Sequence, residues 1–186
     1  MSGEHVCPWW LIYTFDNPVR RLFHDPVKLL GPYLGPGRKA ADIGCGLGFF
    51  TLGLARLVGP AGRVYALDLQ EKMLAGVRRR ARRAGLEQRI ETRLAGSKEL
   101  GAGDLAGCLD LVLAFWMLHE VEDQAGFAAQ VKRMLKPGGA LLVAEPRLHV
   151  TADEFAASLA LVRAAGFALE RAPKIKFSRA AVLRAD

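Results

Sequence analysis

From Arg38 onward, short apolar runs alternate with longer stretches in which apolar residues recur every three or four positions. The short runs read as buried strands and the longer ones as amphipathic helices, so their alternation predicts a parallel sheet with crossover helices. Lys39–Ile43 is the first strand and runs into glycines; Phe49 to Val58 has helical spacing until Gly59 and Pro60 stop it. Arg63–Leu69 is the second strand, followed by an arginine-rich helix from about Glu71 to Ala84 that Gly85 closes. Ile90–Leu94 is a short third strand. Leu109–Phe115 is almost continuously apolar, as expected of a strand covered on both faces. Gln124 to Leu135 reads as a helix, Lys136-Pro137-Gly138-Gly139 as its terminating turn and Ala140–Ala144 as a fifth strand. Thr151-Ala152-Asp153-Glu154 has the form of a capping box before a helix that ends near Gly166. Phe167–Arg171 and about Ala180–Arg184 are extended and can pair as a hairpin at the sheet edge. Only residues 1 to about 35 fall outside the pattern, set apart by Pro32, Gly35, Pro36 and Gly37.

Composition narrows this α/β reading without changing it. A chain of 186 residues, 51% hydrophobic and 24% charged, carries enough apolar material for one buried core and too much for a disordered chain. The run Leu111 to Leu118 is far shorter than the ~18 residues that cross a bilayer, which argues against membrane insertion. Cys7, Cys45 and Cys108 match neither a disulfide framework nor zinc spacing, and the first residues lack a secretory pattern, so a cytoplasmic setting is expected. The net charge of +7 raises the question of an anionic partner. Lys72, Arg78, Arg79, Arg80, Arg82 and Arg83 crowd one helix, which is either a solvated face or an RNA surface. It lacks interleaved aromatics for base stacking, which argues against nucleic acid.

The strongest motif is Ala41-Asp42-Ile43-Gly44-Cys45-Gly46-Leu47-Gly48, between a strand and a helix. Its glycines let the backbone approach a ligand, and the helix N-terminus offers free N–H donors. The spacing G-x-G-x-G, with an aspartate two residues before the first glycine, differs from the dinucleotide fingerprint and argues against NAD. Asp68 closes the second strand 20 residues after Gly48, where a carboxylate can accept both hydroxyls of a ribose. Leu69 beside it offers an apolar surface to a purine.

These residues resemble the class I S-adenosylmethionine-dependent methyltransferases, the seven-strand Rossmann-like family. Five pieces agree in order: the glycine loop, Asp68, the turn Ala95-Gly96-Ser97, the strand Asp110 to Phe115, and Leu135-Lys136-Pro137-Gly138-Gly139. The resemblance implies a three-layer α/β/α sandwich around a mostly parallel seven-stranded sheet with an antiparallel C-terminal hairpin. It also implies S-adenosylmethionine as cofactor, with Asp42, Gly44, Cys45 and Gly46 at the methionine end, Asp68 on the ribose, Leu69, Gly96 and Ser97 around the adenine, and Phe115 beside them. Many relatives have an acidic residue where Ser97 stands; a serine accepts the adenine amino group more weakly.

Methyl transfer from a sulfonium is favoured by positioning and a dry apolar pocket, so a dedicated base is optional. The loop after the fourth strand, Phe115-Trp116-Met117-Leu118-His119-Glu120, lies at the carboxyl edge, where open α/β sheets bind ligands. It lacks the Asn/Asp-Pro-Pro-Tyr/Phe motif of relatives that methylate bases or glutamine. His119 is the candidate general base; the alternative is a helix-start histidine bonded to backbone. His119, Glu145 and His149 can converge as a polar substrate clamp or as a metal site, and the lack of a His-x-x-x-His pair favours the clamp. Trp9, Trp10 and Tyr13 lie in an aromatic-rich segment, residues 1–37, read as a lid that supplies the acceptor pocket together with Trp116. A helix packed on the sheet edge and a dimer contact are its alternatives. Residues 38–186 then form the cofactor domain. The sequence expectation is a methyltransferase for a small, partly apolar acceptor, with an RNA methyltransferase and a non-catalytic cofactor-binding protein as rivals.

Overall fold

Strand β1 (Lys39–Ile43) carries small and apolar residues on both faces and is buried from Ala40 onward, which puts it in the middle of the sheet. Such a strand needs covered neighbours on either side. It pairs in parallel with β2 (Arg63–Asp68) and with β4 (Leu109–Phe115), and β2 pairs in parallel with β3 (Ile90–Leu94). The computed structural model describes residues 20–186. Beyond β4 come β5 (Leu135–Pro146), parallel to it, then β7 (Ser178–Ala185) and β6 (Phe167–Arg171), both antiparallel pairings. The sheet order is β3-β2-β1-β4-β5-β7-β6. The expected sandwich and its terminal hairpin are therefore present, with β7 inserted between β5 and β6.

Alternation along each strand divides the core in two. Ala41, Ile43, Leu67, Val112, Ala114, Leu141 and Val143 face the helices Gln124–Met134 and Ala152–Ala164, which contribute Phe127, Val131, Phe155 and Val162. Ala40, Val64, Leu111, Leu113 and Leu142 face the Phe49–Val58 helix and the short Pro26–Leu30 helix through Phe50, Leu54, Val58 and Leu30. Leu74 and Val77 of the Glu71–Arg83 helix pack on Ala66. The capping box before Ala152–Ala164 is complete, with both reciprocal bonds between Thr151 and Glu154.

Boundaries differ from the sequence reading in identifiable ways. The second strand stops at Asp68, because Gln70 N–H turns back to the Asp68 carboxylate at 2.9 Å. The fifth strand begins at Leu135, which already pairs with Leu109, and Lys136–Gly139 bulges out before pairing resumes at Ala140 with Leu111. What reads as a terminating turn is thus an irregularity inside one strand, with Gly138 at φ +72° supplying the left-handed residue.

Candidate active site

The glycine loop hangs on the end of β2. Gly44 and Cys45 donate their N–H groups to the Leu67 carbonyl at 2.9 and 3.1 Å, and Gly46 N–H donates to Asp68 Oδ2 at 2.9 Å. Gly44, Gly46 and Gly48 have φ of +69°, +52° and +84°, the left-handed region that other residues enter at a cost. At Gly44 space is the second constraint: a Cβ there would lie 2.9 Å from Cβ and Cγ of Met117. The turn after β4 is therefore seated directly against the loop. Arg80 adds a strut from the neighbouring helix, donating to the Leu47 carbonyl at 3.1 Å.

Two carboxylates lie beneath this loop. Asp42 is 2% exposed, its Oδ2 accepting from Thr51 Oγ1 at 2.6 Å. Burial lifts its pKa to about 7, the Thr51 hydrogen bond opposing and the Asp68 charge adding to the rise. Burial likewise raises Asp68, against the N–H donors of Gln70, Gly46 and Leu69. A pair of carboxylates short of positive partners suits a ligand that brings hydroxyl donors and positive charge, and it repels a pyrophosphate. This donor set fits S-adenosylmethionine, whose ribose offers two hydroxyls and whose sulfonium and ammonium are cationic. Leu69 is exposed beside Asp68, and Gly96 and Ser97 form an exposed turn after β3 in which Gly96 N–H bonds the Glu99 carbonyl at 2.8 Å. The Cys45 thiol is buried, and burial raises its pKa well above the ordinary value, so it is held as a neutral wall of the loop.

The carboxyl ends of β4 and β5 carry the remaining candidates. Phe115 is buried, its ring 4.2 Å from that of Phe50 between centroids and 5.4 Å from Trp116. Trp116 has φ +60°, and its indole N–H donates to Ser178 Oγ at 2.9 Å. The Arg20 guanidinium lies over these rings, 4.7 Å from the centroid of Phe49 and 5.0 Å from that of Trp116. Glu145 is 1% exposed and receives the backbone N–H groups of Leu118 and His119 at 3.0 and 3.3 Å. His119 Nδ1 is hydrogen-bonded to the same carboxylate, which raises the imidazole pKa against the opposing effect of burial.

The structure brings His119 and Glu145 together by a hydrogen bond and sets the exposed His149 ring edge-on to His119, with ring centroids 6.4 Å apart. Glu145, read from the sequence as a contact to the methyl acceptor, holds the 118–120 turn and the His119 ring, because two backbone N–H groups at a buried bend require an acceptor. Among the described residues no group of three His, Cys, Asp or Glu side chains is placed to hold a metal. Trp9, Trp10 and Tyr13 lie outside the described residues. On the basic helix, Arg78 bonds Glu71 and Thr92, while Arg79, Arg82 and Arg83 face solvent. Arg20 and His24 carry no sequence signal, since a lone arginine and histidine ahead of Asp25-Pro26 read as part of a helix start. His24 acquires meaning through distant partners, the Lys176 carbonyl 152 residues away and the rings of Phe115 and Trp116.

Comparisons with known proteins bear on the family and the fold. A family model described as a methyltransferase domain matches residues 41–143, from the end of β1 to β5. A demethylmenaquinone methyltransferase of Bacillus cytotoxicus is 36% identical over 110 residues, 59% of this chain and 45% of that protein. A ubiquinone biosynthesis O-methyltransferase of Methylococcus capsulatus is 31% identical over 146 residues, 74% of this chain and 56% of that protein. This chain thus spans about half the length of these curated relatives. A SAM-dependent methyltransferase from Aquifex aeolicus superposes with a TM-score of 0.87 at 23% identity, covering 97% of this chain and 100% of that one, a likeness of fold. The glycine loop, the acidic end of β2 and the whole span between them and β5 fall inside the matched region, and the chain belongs to the class I methyltransferase-domain family.

Proposed function

We propose that the chain transfers a methyl group from S-adenosylmethionine to a small, partly apolar acceptor, releasing S-adenosylhomocysteine. The observation that carries the reading is the Asp68 carboxylate, which ends β2 and is locked onto Gly46 of the glycine loop. Gly46 N–H meets its Oδ2 and Gln70 N–H its Oδ1, and the carboxylate keeps capacity to accept from ribose hydroxyls. Gly44 and Gly46 then border the methionine end, with Asp42 beneath supplying negative charge, and Leu69 and the Gly96-Ser97 turn border the adenine. The cofactor supplies an electrophilic methyl carbon on a sulfonium whose charge vanishes on transfer, a change favoured by a water-poor site.

On the acceptor side, Phe115 and Trp116 form an apolar wall at the end of β4, next to the loop. His119 is the candidate proton acceptor, and Glu145 orients it and keeps it basic. His149 stands at the rim, and Trp9, Trp10 and Tyr13 are proposed to close the pocket from the N-terminal side. Relatives named for demethylmenaquinone and ubiquinone biosynthesis support a hydroxylated or quinonoid ring as the acceptor class. The position of the basic helix, with Arg78 tied to Glu71, supports a solvated face rather than an RNA surface.

Calorimetric titration with S-adenosylmethionine, S-adenosylhomocysteine and NAD tests the reading. Micromolar binding of the first two alone, followed by S-adenosylhomocysteine release with ring acceptors, is the expected result. A folded, cofactor-free sample that binds neither compound would refute it.

A further inference from the structure

His24 is 2% exposed and packs edge-on against Phe115 and Trp116, with ring centroids 5.3 and 5.4 Å away. Its Nε2 lies 2.7 Å from the Lys176 carbonyl oxygen. A carbonyl oxygen can only accept, so Nε2 carries the proton and donates. In the neutral ring Nδ1 is then a bare acceptor, and it is buried with no hydrogen-bond partner among the described residues. Burial lowers the His24 pKa and the Arg20 charge adds to the fall, with the Lys176 carbonyl opposing, which keeps the ring neutral. A buried polar atom left unsatisfied is destabilising and is uncommon unless a ligand or water uses it.

The surroundings point to a ligand. The two rings against which His24 packs are the wall at the end of β4, and Met117, the next residue after Trp116, is in van der Waals range of the glycine loop. Trp116 and Phe177 are the two non-glycine residues with positive φ among those described, both at +60°; Phe177 lies inside the Lys176–Ser178 segment that holds His24, and Trp116 is hydrogen-bonded to it through Ser178. Strained backbone of this kind persists where surrounding contacts over-determine it, and it concentrates at ligand sites. Ser178 Oγ ties the Trp116 indole and the segment together, so indole and imidazole are fixed relative to each other.

We propose that His24 Nδ1 is the hydrogen-bond acceptor for a hydroxyl of the methyl acceptor, forming a hydroxyl-recognition subsite walled by Phe115 and Trp116. The ligand class is a neutral phenol or hydroquinone. An aromatic ring matches the apolar wall, its O–H satisfies the bare nitrogen, and the Arg20 guanidinium over the same rings disfavours a cationic amine. At 2% exposure, a side chain around His24 must turn aside to admit the ring. The inference rests on the methyltransferase reading for the identity of its ligand.

The test uses the full chain loaded with S-adenosylhomocysteine and labelled with 15N-histidine, with 2-naphthol as probe and 2-methylnaphthalene as the hydroxyl-free control. The His24 Nδ1 resonance is expected to start at the position of a bare imidazole nitrogen and move upfield with 2-naphthol alone. His24→Phe keeps an aromatic ring and removes the acceptor. It should weaken 2-naphthol by about three- to tenfold and leave 2-methylnaphthalene unchanged. If that variant fails to fold, substitution of His5, His119 and His149 assigns the His24 signal by elimination, and the wild-type shift decides. An unmoved resonance, equal weakening of both probes, or no 2-naphthol binding to the loaded protein would overturn the inference. Failure of S-adenosylhomocysteine to bind would instead overturn the methyltransferase reading, and this inference with it.

Discussion

Glu145 and His119 are joined across the carboxyl edge of the sheet, the imidazole Nδ1 meeting a carboxylate that also receives the N–H groups of Leu118 and His119 itself. One buried group therefore shapes the turn after β4 and sets the protonation of the histidine on it.

Because the Glu145 hydrogen bond raises the His119 pKa in the folded protein, its stabilisation is fully present below the unfolded value of about 6.5 and is lost as pH rises through the folded value. Melting temperature should fall as pH rises from about 6.5 through the raised folded value, and His119→Gln should flatten that slope. Thermal melts across the range check this; parallel slopes for both proteins would remove the charged pair.

His119→Ala should lower turnover more than it lowers cofactor affinity, whereas Glu145→Ala should also cost about 2–3 kcal/mol of stability by stranding two backbone donors. Denaturant unfolding and single-substrate kinetics separate the two effects. Equal turnover in His119→Ala would make the histidine a part of the turn only.

Asp68→Ala should weaken S-adenosylmethionine by about 1.5–3 kcal/mol, the scale of charge-assisted hydrogen bonds. Calorimetry reads the change directly. Unaltered affinity would remove Asp68 from the ribose and leave it as an anchor for Gly46.

Asp42 has the opposite relation to pH from a salt-bridged carboxylate. Its folded pKa of about 7 lies above the unfolded value, so its proton stabilises the fold at acid pH and that contribution disappears as pH rises from about 4 through 7. Asp42→Asn removes the ionisation, and the cofactor-free variant should gain on the wild type by up to about 1.4 kcal/mol per pH unit over this window. Its affinity for the cationic cofactor should fall at the same time. Urea titrations at several pH values and calorimetry report the two signs.

Gly44→Ala places a methyl group in a left-handed residue and 2.9 Å from Met117. The backbone term alone is about 1–2 kcal/mol, and the Met117 turn must shift in addition. Loss of stability together with lost cofactor affinity is expected, measured by denaturation and calorimetry on the same sample.

The central part of the fold was legible because its causes are local. Strands buried on both faces must be apolar throughout, as Leu109–Phe115 is, and glycines in the left-handed region leave a spacing that can be read directly, as at Gly44, Gly46 and Gly48. Where the cause was not local, the reading stopped short. The bulge at Lys136–Gly139 depends on pairing with Leu109 and Leu111 in another strand, so the residues alone look like an ordinary turn.

The same division holds at the site. The loop and the acidic end of β2 could be read along the chain because they rest on spacing within one βαβ unit, and the family because five short motifs keep their order from Asp42 to Gly139. It took the packed chain to show that Glu145 serves the backbone of the 118–120 turn, that His149 meets His119 edge-on and shares no hydrogen bond with Glu145 among the described residues, and that His24 joins the aromatic wall. Those outcomes depend on which donors meet which acceptors once the chain is packed: His24 finds the Lys176 carbonyl 152 residues away, and in doing so leaves its other nitrogen bare. No pattern along the chain encodes a hydrogen-bond vacancy, because it arises from the geometry of two distant segments meeting in a water-poor interior.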